Sequence, residues 1–296
     1  MKIFLRIMTR MLLVSLLFGC TFPAPISAPK NAGKITPLSV SSPTAGPELM
    51  PESTATVDLL THPMPLPNVV TGQQAFFSQK AQRNYLLFLP SDYGKDPQQQ
   101  WPLILFLHGA GTRSKNINVL KYEALPQMLD FTTDFPFIVL SPQLTDENRE
   151  DFWTRDKVTG SVFVLVDEIQ STYAVDPNRV YLTGISIGGN GTWAYGLKYP
   201  DRFAALVPVM GFFGGTSGFY VPNNICDLKD VPIWAFHGAK DPIVPLDAEK
   251  GIVDTLKACG GNVQFTVYPD GDHDISGRVY DYDSGLLEWL MSQSLK

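Results

Sequence analysis

The sequence predicts an α/β fold with a mostly parallel central sheet and helices on both faces. Three observations carry that prediction. Short apolar runs recur along residues 71–296, and most are apolar on both faces, as strands buried between two helix layers must be. Stretches of helical periodicity lie between the runs, the alternation expected of one α/β domain. Gly, Pro or Asp flanks each run, so the chain can turn at its ends.

The predicted strands are Tyr85–Leu89, Leu103–Leu107, Phe137–Leu140, Val180–Leu182, Ala205–Val209, Ile233–Phe236 and Val263–Val267. The first helix, Val162–Tyr173, sets Val162, Val166, Ile169 and Tyr173 on one face and Asp167, Glu168 and Gln170 on the other. A second begins at Ile187, just past the run that ends at Gly184. A third, Asp247–Cys259, opens on an acceptable N-cap and stops at Gly260-Gly261. Ser284–Met291 is the closing helix. The chain shows no internal repeat and no insertion large enough for a separate lid domain.

Residues 1–19 belong to something else. Lys2, Arg6 and Arg10 precede an apolar stretch, Met11–Phe18, too short to span a bilayer as a mature helix, which is the pattern of an export signal. Leu17-Phe18-Gly19-Cys20 resembles a bacterial lipobox, and that resemblance implies an acylated Cys20 anchoring the mature chain at the cell envelope. An ordinary signal peptide, with secretion, or an uncleaved anchor is the other reading. Residues 20–70 are rich in Pro, Ser and Thr, and ten prolines between Pro23 and Pro67 forbid a continuous helix or central strand. The segment reads as a disordered spacer between anchor and domain. Loss of Lys2, Arg6 and Arg10 takes the formal net charge from −6 to −9, which argues against nucleic acid as a partner and leaves the lipid anchor as the membrane contact. The remaining cysteines, Cys226 and Cys259, suit either a disulfide or two buried thiols.

The chemistry centres on Gly184-Ile185-Ser186-Ile187-Gly188, which follows Val180–Leu182 directly. Glycines two before and two after a serine permit the sharp strand-to-helix turn that lifts a nucleophilic hydroxyl out of the packed interior. A serine also needs a base, and the chain has four histidines. His62 lies in the spacer, and His108 and His237 each follow a strand as structural, hydrogen-bonded residues. His273, in the loop after the last strand, is the one that satisfies the order nucleophile, acid, histidine. Asp241, turned by Pro242 after Ile233–Phe236, is the expected acid; a helix cap accounts for Asp247, and Asp272 and Asp274 adjoin the histidine itself. His273 would then take the Ser186 proton while Asp241 fixes its tautomer. The Ile187 amide is one expected oxyanion donor, and the Ala110 amide, with Gly111 behind it, is the other. Trp153, beside Phe152, and Phe212 and Phe213 follow strands, and suit either a substrate pocket or core packing. Gly189-Asn190-Gly191-Thr192-Trp193-Ala194 has the letters of a dinucleotide fingerprint, yet it starts inside a helix and Val207–Met210 offers no acid. No His-Glu-x-x-His or Cys-x-x-Cys pattern suggests a metal, and acyl transfer to water needs no cofactor.

Pro102–Gly111, Asp176–Gly189, Trp193 and Tyr199–Ala205 together resemble the α/β-hydrolase superfamily. The likeness is closest to its bacterial exported esterases, the predicted-peptidase, polyhydroxybutyrate-depolymerase and feruloyl-esterase-like group. It covers about residues 72–296, and departs from the usual pattern at Asn190. The resemblance implies the α/β-hydrolase fold and a serine hydrolase that cleaves small-molecule or polymeric carboxylic esters through an acyl-enzyme, without a cofactor. A serine peptidase of the prolyl-oligopeptidase-like type and a non-catalytic surface-binding lipoprotein are the alternatives. The resemblance implies no oligomeric state.

Overall fold

Among the described residues ten strands form, most of them where β-branched, leucine and aromatic residues cluster: β1 Gly72–Ser78, β2 Arg83–Leu89, β3 Trp101–Leu107, β4 Ile138–Pro142, β5 Val175–Ile185, β6 Ala205–Val209, β7 Gly214–Gly215, β8 Gly218–Phe219, β9 Ile233–Gly238 and β10 Val263–Tyr268. Six α-helices of the described residues lie between or after them: α1 Ala124–Leu129, α2 Asp156–Thr172, α3 Ile187–Lys198, α4 Leu246–Ala258, α5 Ser276–Val279 and α6 Leu286–Met291. The computed structural model describes residues 69–132, 134–145, 152–215 and 218–296. The export segment, nearly all of the spacer, His62 and Cys20 lie outside the described residues.

Eight strands make one sheet in the order β1-β2-β4-β3-β5-β6-β9-β10, and β7 pairs with β8 in a small separate ladder. From β4 to β10 every pairing is parallel, while β1 and β2 add antiparallel at one edge. All seven residues of β3 are buried, and they alternate between two cores. Leu103, Leu105 and Leu107 face one cluster with α2, α3 and α4, whereas Ile104 and Phe106 face the other with α1, α5 and α6. Period-two alternation within an unbroken apolar run is what a sheet with helices on both faces requires.

The expected strands all form, with differences at element ends that have local causes. β1 was not expected: its polar Gly72-Gln73-Gln74 start hides an edge strand held by the register of Gln73–Phe77 against Asn84–Phe88. β5 starts at Val175, because Val175 already pairs with Trp101 before a bulge. α2 runs six residues further back than its apolar face suggests, through the polar turn that contains Gly160. Pro245, not Asp247, caps α4, without a side-chain bond; Asp247 sits in the first turn, where its charge suits the helix dipole. Gly285, at φ 75°, separates a 3-10 turn at Tyr282–Ser284 from α6, so the closing helix starts at Leu286. Cys226 and Cys259 form a disulfide that ties the turn Ile225–Leu228 to the end of α4.

Candidate active site

Ser186 sits where β5 becomes α3, with φ 55° and ψ −117°, a backbone region that side chains other than glycine rarely adopt. Bonds from its N–H to the Val209 carbonyl (2.9 Å) and from the Asn190 N–H to its own carbonyl (2.9 Å) hold it there. The turn is tight enough to need a glycine after it: a Cβ on Gly188 would lie 1.9 Å from the Leu107 carbonyl oxygen. The N–H groups of this first turn have no acceptor inside the helix, so the Ile187 amide has no helical partner.

Loops after β9 and β10 bring the other two groups to the same end of the sheet. They touch because Gly238 carries no side chain; a Cβ there would meet the Asp272 carbonyl oxygen at 2.1 Å. His273 places Nε2 3.0 Å from Ser186 Oγ and Nδ1 2.7 Å from Asp241 Oδ2. The other Asp241 oxygen accepts the amides of Ile243 (2.8 Å) and Val244 (2.9 Å), so this fully buried carboxylate has a partner for each oxygen.

Beneath Asp241 lies a second buried constellation. His237 contacts Glu249 through Nδ1 (2.7 Å) and donates to the Val244 carbonyl through Nε2 (2.9 Å), with Asp241 Oδ2 at 3.5 Å. Glu249 also accepts from the Trp193 indole (3.0 Å). Burial opposes charge on His237, yet the facing Glu249 carboxylate and the Val244 carbonyl outweigh it and hold its pKa above the ordinary value. Burial pushes Glu249 up as well, against the pull of its bonds to His237 and Trp193. His108, fully buried, accepts the Leu144 amide at Nε2 (2.9 Å) and faces the Gly109 carbonyl with Nδ1 (2.6 Å). Both histidines lock loops in place and stand away from Ser186.

A cavity of about 540 Å³ opens over Ser186 and His273. Ala110 and Gly111 line it, as do Tyr122, Glu123, Met210 and Ile243. The three aromatic pocket candidates do not. Trp153 is wholly buried: its indole N–H donates to the His108 carbonyl (3.0 Å) and its ring meets the His108 imidazole edge-on. Phe212 and Phe213 join the core on the α3 side, and the Phe212 carbonyl accepts from the Asn190 amide (2.7 Å). Core packing therefore accounts for all three, and Asn190 serves as a tie between α3 and the loop after β6. Sequence reasoning missed Glu123 and Tyr122 because no local pattern marks them; they enter the cavity only through the path of the chain before α1. Among the described residues, no group of three or more His, Cys, Asp or Glu could hold a metal ion.

Residues 142–281 match the model of the phospholipase/carboxylesterase family of α/β hydrolases. A probable carboxylesterase SOBER1-like protein of Arabidopsis thaliana is 28% identical over 51% of this chain and 57% of its own length. Poly(3-hydroxyalkanoate) depolymerase C of Paucimonas lemoignei is 29% identical over 37% of this chain and 28% of its own length. The match thus spans about half, or less, of these curated relatives. A thermostable esterase structure superposes with a TM-score of 0.57 at 28% identity, covering 75% of this chain and 62% of the other. A ferulic acid esterase structure shares the fold with a TM-score of 0.58 at 18% identity, over 74% and 96% of the two chains. Sheet order, the strand-to-helix turn at Ser186 and sequence likeness agree: the chain has the α/β-hydrolase fold and is similar to carboxylesterases of that fold.

Proposed function

We propose that this protein hydrolyses carboxylic esters through an acyl-enzyme, with Ser186 as nucleophile, His273 as base and then acid, and Asp241 as the group that orients the imidazole. The observation that carries the reading is the continuous line from Ser186 Oγ to His273 Nε2 (3.0 Å) and from His273 Nδ1 to Asp241 (2.7 Å), within reach of a substrate in the cavity. As Ser186 Oγ attacks the ester carbonyl carbon, His273 Nε2 takes its proton, and Asp241 stabilises the imidazolium. The carbonyl oxygen gains the negative charge, which the amides of Ile187 and Ala110 receive. Collapse expels the alcohol as His273 returns the proton, leaving an ester on Ser186. Water then enters along the same path and releases the acid.

The size of the cavity suits a short acyl or aryl group. Through Ala124, Gln127 and Ser276 it shares a wall with a neighbouring hollow of about 330 Å³, which supports a longer or polymeric substrate. Export, with Cys20 as lipid anchor, belongs to the same proposal; a disulfide suits an oxidising compartment and supports it.

Labelling by a fluorophosphonate probe tests the mechanism. Wild type should label and Ser186→Ala should not, with both equally folded by thermal melting. Short acyl esters, feruloyl esters, polyester film and chromogenic peptides test the substrate class. Turnover confined to the peptides would remove the esterase reading, and failure of the wild type to label would remove the serine mechanism.

A further inference from the structure

The turn that carries the Ala110 amide has glycine on both sides, and a Cβ on Gly111 would meet nothing within 4 Å. Steric confinement therefore does not hold that flank, yet an amide that receives an oxyanion has to be in place before the reaction. Glu123 supplies the hold. Its Oε2 accepts the Gly109 amide (3.0 Å) and the Thr112 hydroxyl (2.8 Å), two bonds that straddle Ala110 and Gly111. The Thr112 oxygen in turn faces His108 Nδ1 (3.0 Å), so the clamp continues into the buried end of β3. With the Gly109 amide engaged, the next amide along is that of Ala110, a residue that lines the cavity. The chain strains to deliver this carboxylate: Ala124, the next residue, has φ 49°, a conformation that costs a non-glycine residue about 1–3 kcal/mol. Burial pushes the Glu123 carboxyl above its ordinary pKa, with the bonds from Thr112 and Gly109 pulling it back.

We infer that Glu123 is a positioning residue: it grips the 109–112 turn from both ends and so aims the Ala110 amide at the oxygen of the scissile carbonyl. The inference rests on the serine-hydrolase reading above. It acts through backbone geometry and touches no reacting atom.

Steady-state hydrolysis of 4-nitrophenyl butyrate by the full chain tests it. Glu123→Ala should lower kcat by about tenfold to a hundredfold, the range for a misplaced catalytic group, with KM changed by no more than about twofold. Glu123→Gln keeps an acceptor oxygen and should recover kcat to within about threefold of wild type, a rescue that a role for the charge alone would not give. Should Glu123→Ala fail to fold, Thr112→Val, which removes one of the two bonds, carries the test with an expected loss in kcat of at least about threefold. Wild-type kcat in the folded Ala variant, or a Gln variant as slow as the Ala variant, would overturn the assignment of Glu123 alone. Absence of Ser186-dependent turnover in the wild type would overturn it together with the reading on which it rests.

Discussion

At Ser186 the backbone, and not the side chain, bears the cost of reactivity, since φ 55° is held by flanking bonds and by a glycine that lets β3 approach. His108 shows the converse, a titratable group kept out of titration. Burial drives its pKa down to about 4, only partly offset by the Gly109 carbonyl. A histidine depressed in the fold is neutral in both states above its ordinary value near 6.5, so its full contribution to stability is present there. As pH falls, the unfolded chain takes up the proton first, and stability is lost through the window from about 6.5 to about 4. The loss should approach about 3 kcal/mol, and His108→Gln should flatten that part of the curve in urea titrations across the window. An equally steep curve in the variant would exclude His108 as its source. The hydrogen-bonded line of Ser186, His273 and Asp241 was legible in the sequence because a short motif and a fixed chain order mark those positions. Glu123 was not, because its partner Gly109 is 14 residues away and the contact depends on how the intervening chain folds.

Among the elements, α4 is held at both ends by different means. Glu249 in its first turn bonds His237 and Trp193, and Cys259 at its C-cap is bridged to Cys226. The bridge spans 33 residues, for which chain entropy implies about 3–4 kcal/mol of stability. The double variant Cys226→Ser/Cys259→Ser should therefore melt lower by roughly 6–16 °C, at about 2–4 °C per kcal/mol for a domain of this size. Its short-ester kcat should stay near wild type, since neither sulfur borders the cavity; an unchanged melting point would show that the bridge constrains little. Strands with unbroken apolar runs, such as β3 and β6, were legible from the sequence. The short helices α1 and α5 were not, because at six and four residues they hold through packing rather than through any periodicity of their own.

Over the whole molecule, the order β4-β3-β5-β6-β9-β10 sets the loops after β3, β5, β9 and β10 along one rim of a parallel sheet. Such a rim is where α/β sheets bind ligands, and it gathers Ala110, Ser186, Asp241 and His273 from four separate stretches of chain. Parallel packing of this kind was readable from the doubly apolar runs; the walls of the cavity, built largely from loops and the short helices α1 and α5, were not.

That gathering has a temporal consequence. A polypeptide leaving the ribosome presents its hydroxyl at 186 long before the imidazole at 273, which follows the last sheet strand to be made. On the proposed mechanism, reactivity at position 186 therefore requires that strand and the imidazole after it to be in place. A chain arrested after Gly260 should stay unmodified by a fluorophosphonate in cell-free translation, whereas the released full-length product reacts; early modification would mean that the seryl oxygen finds another proton acceptor.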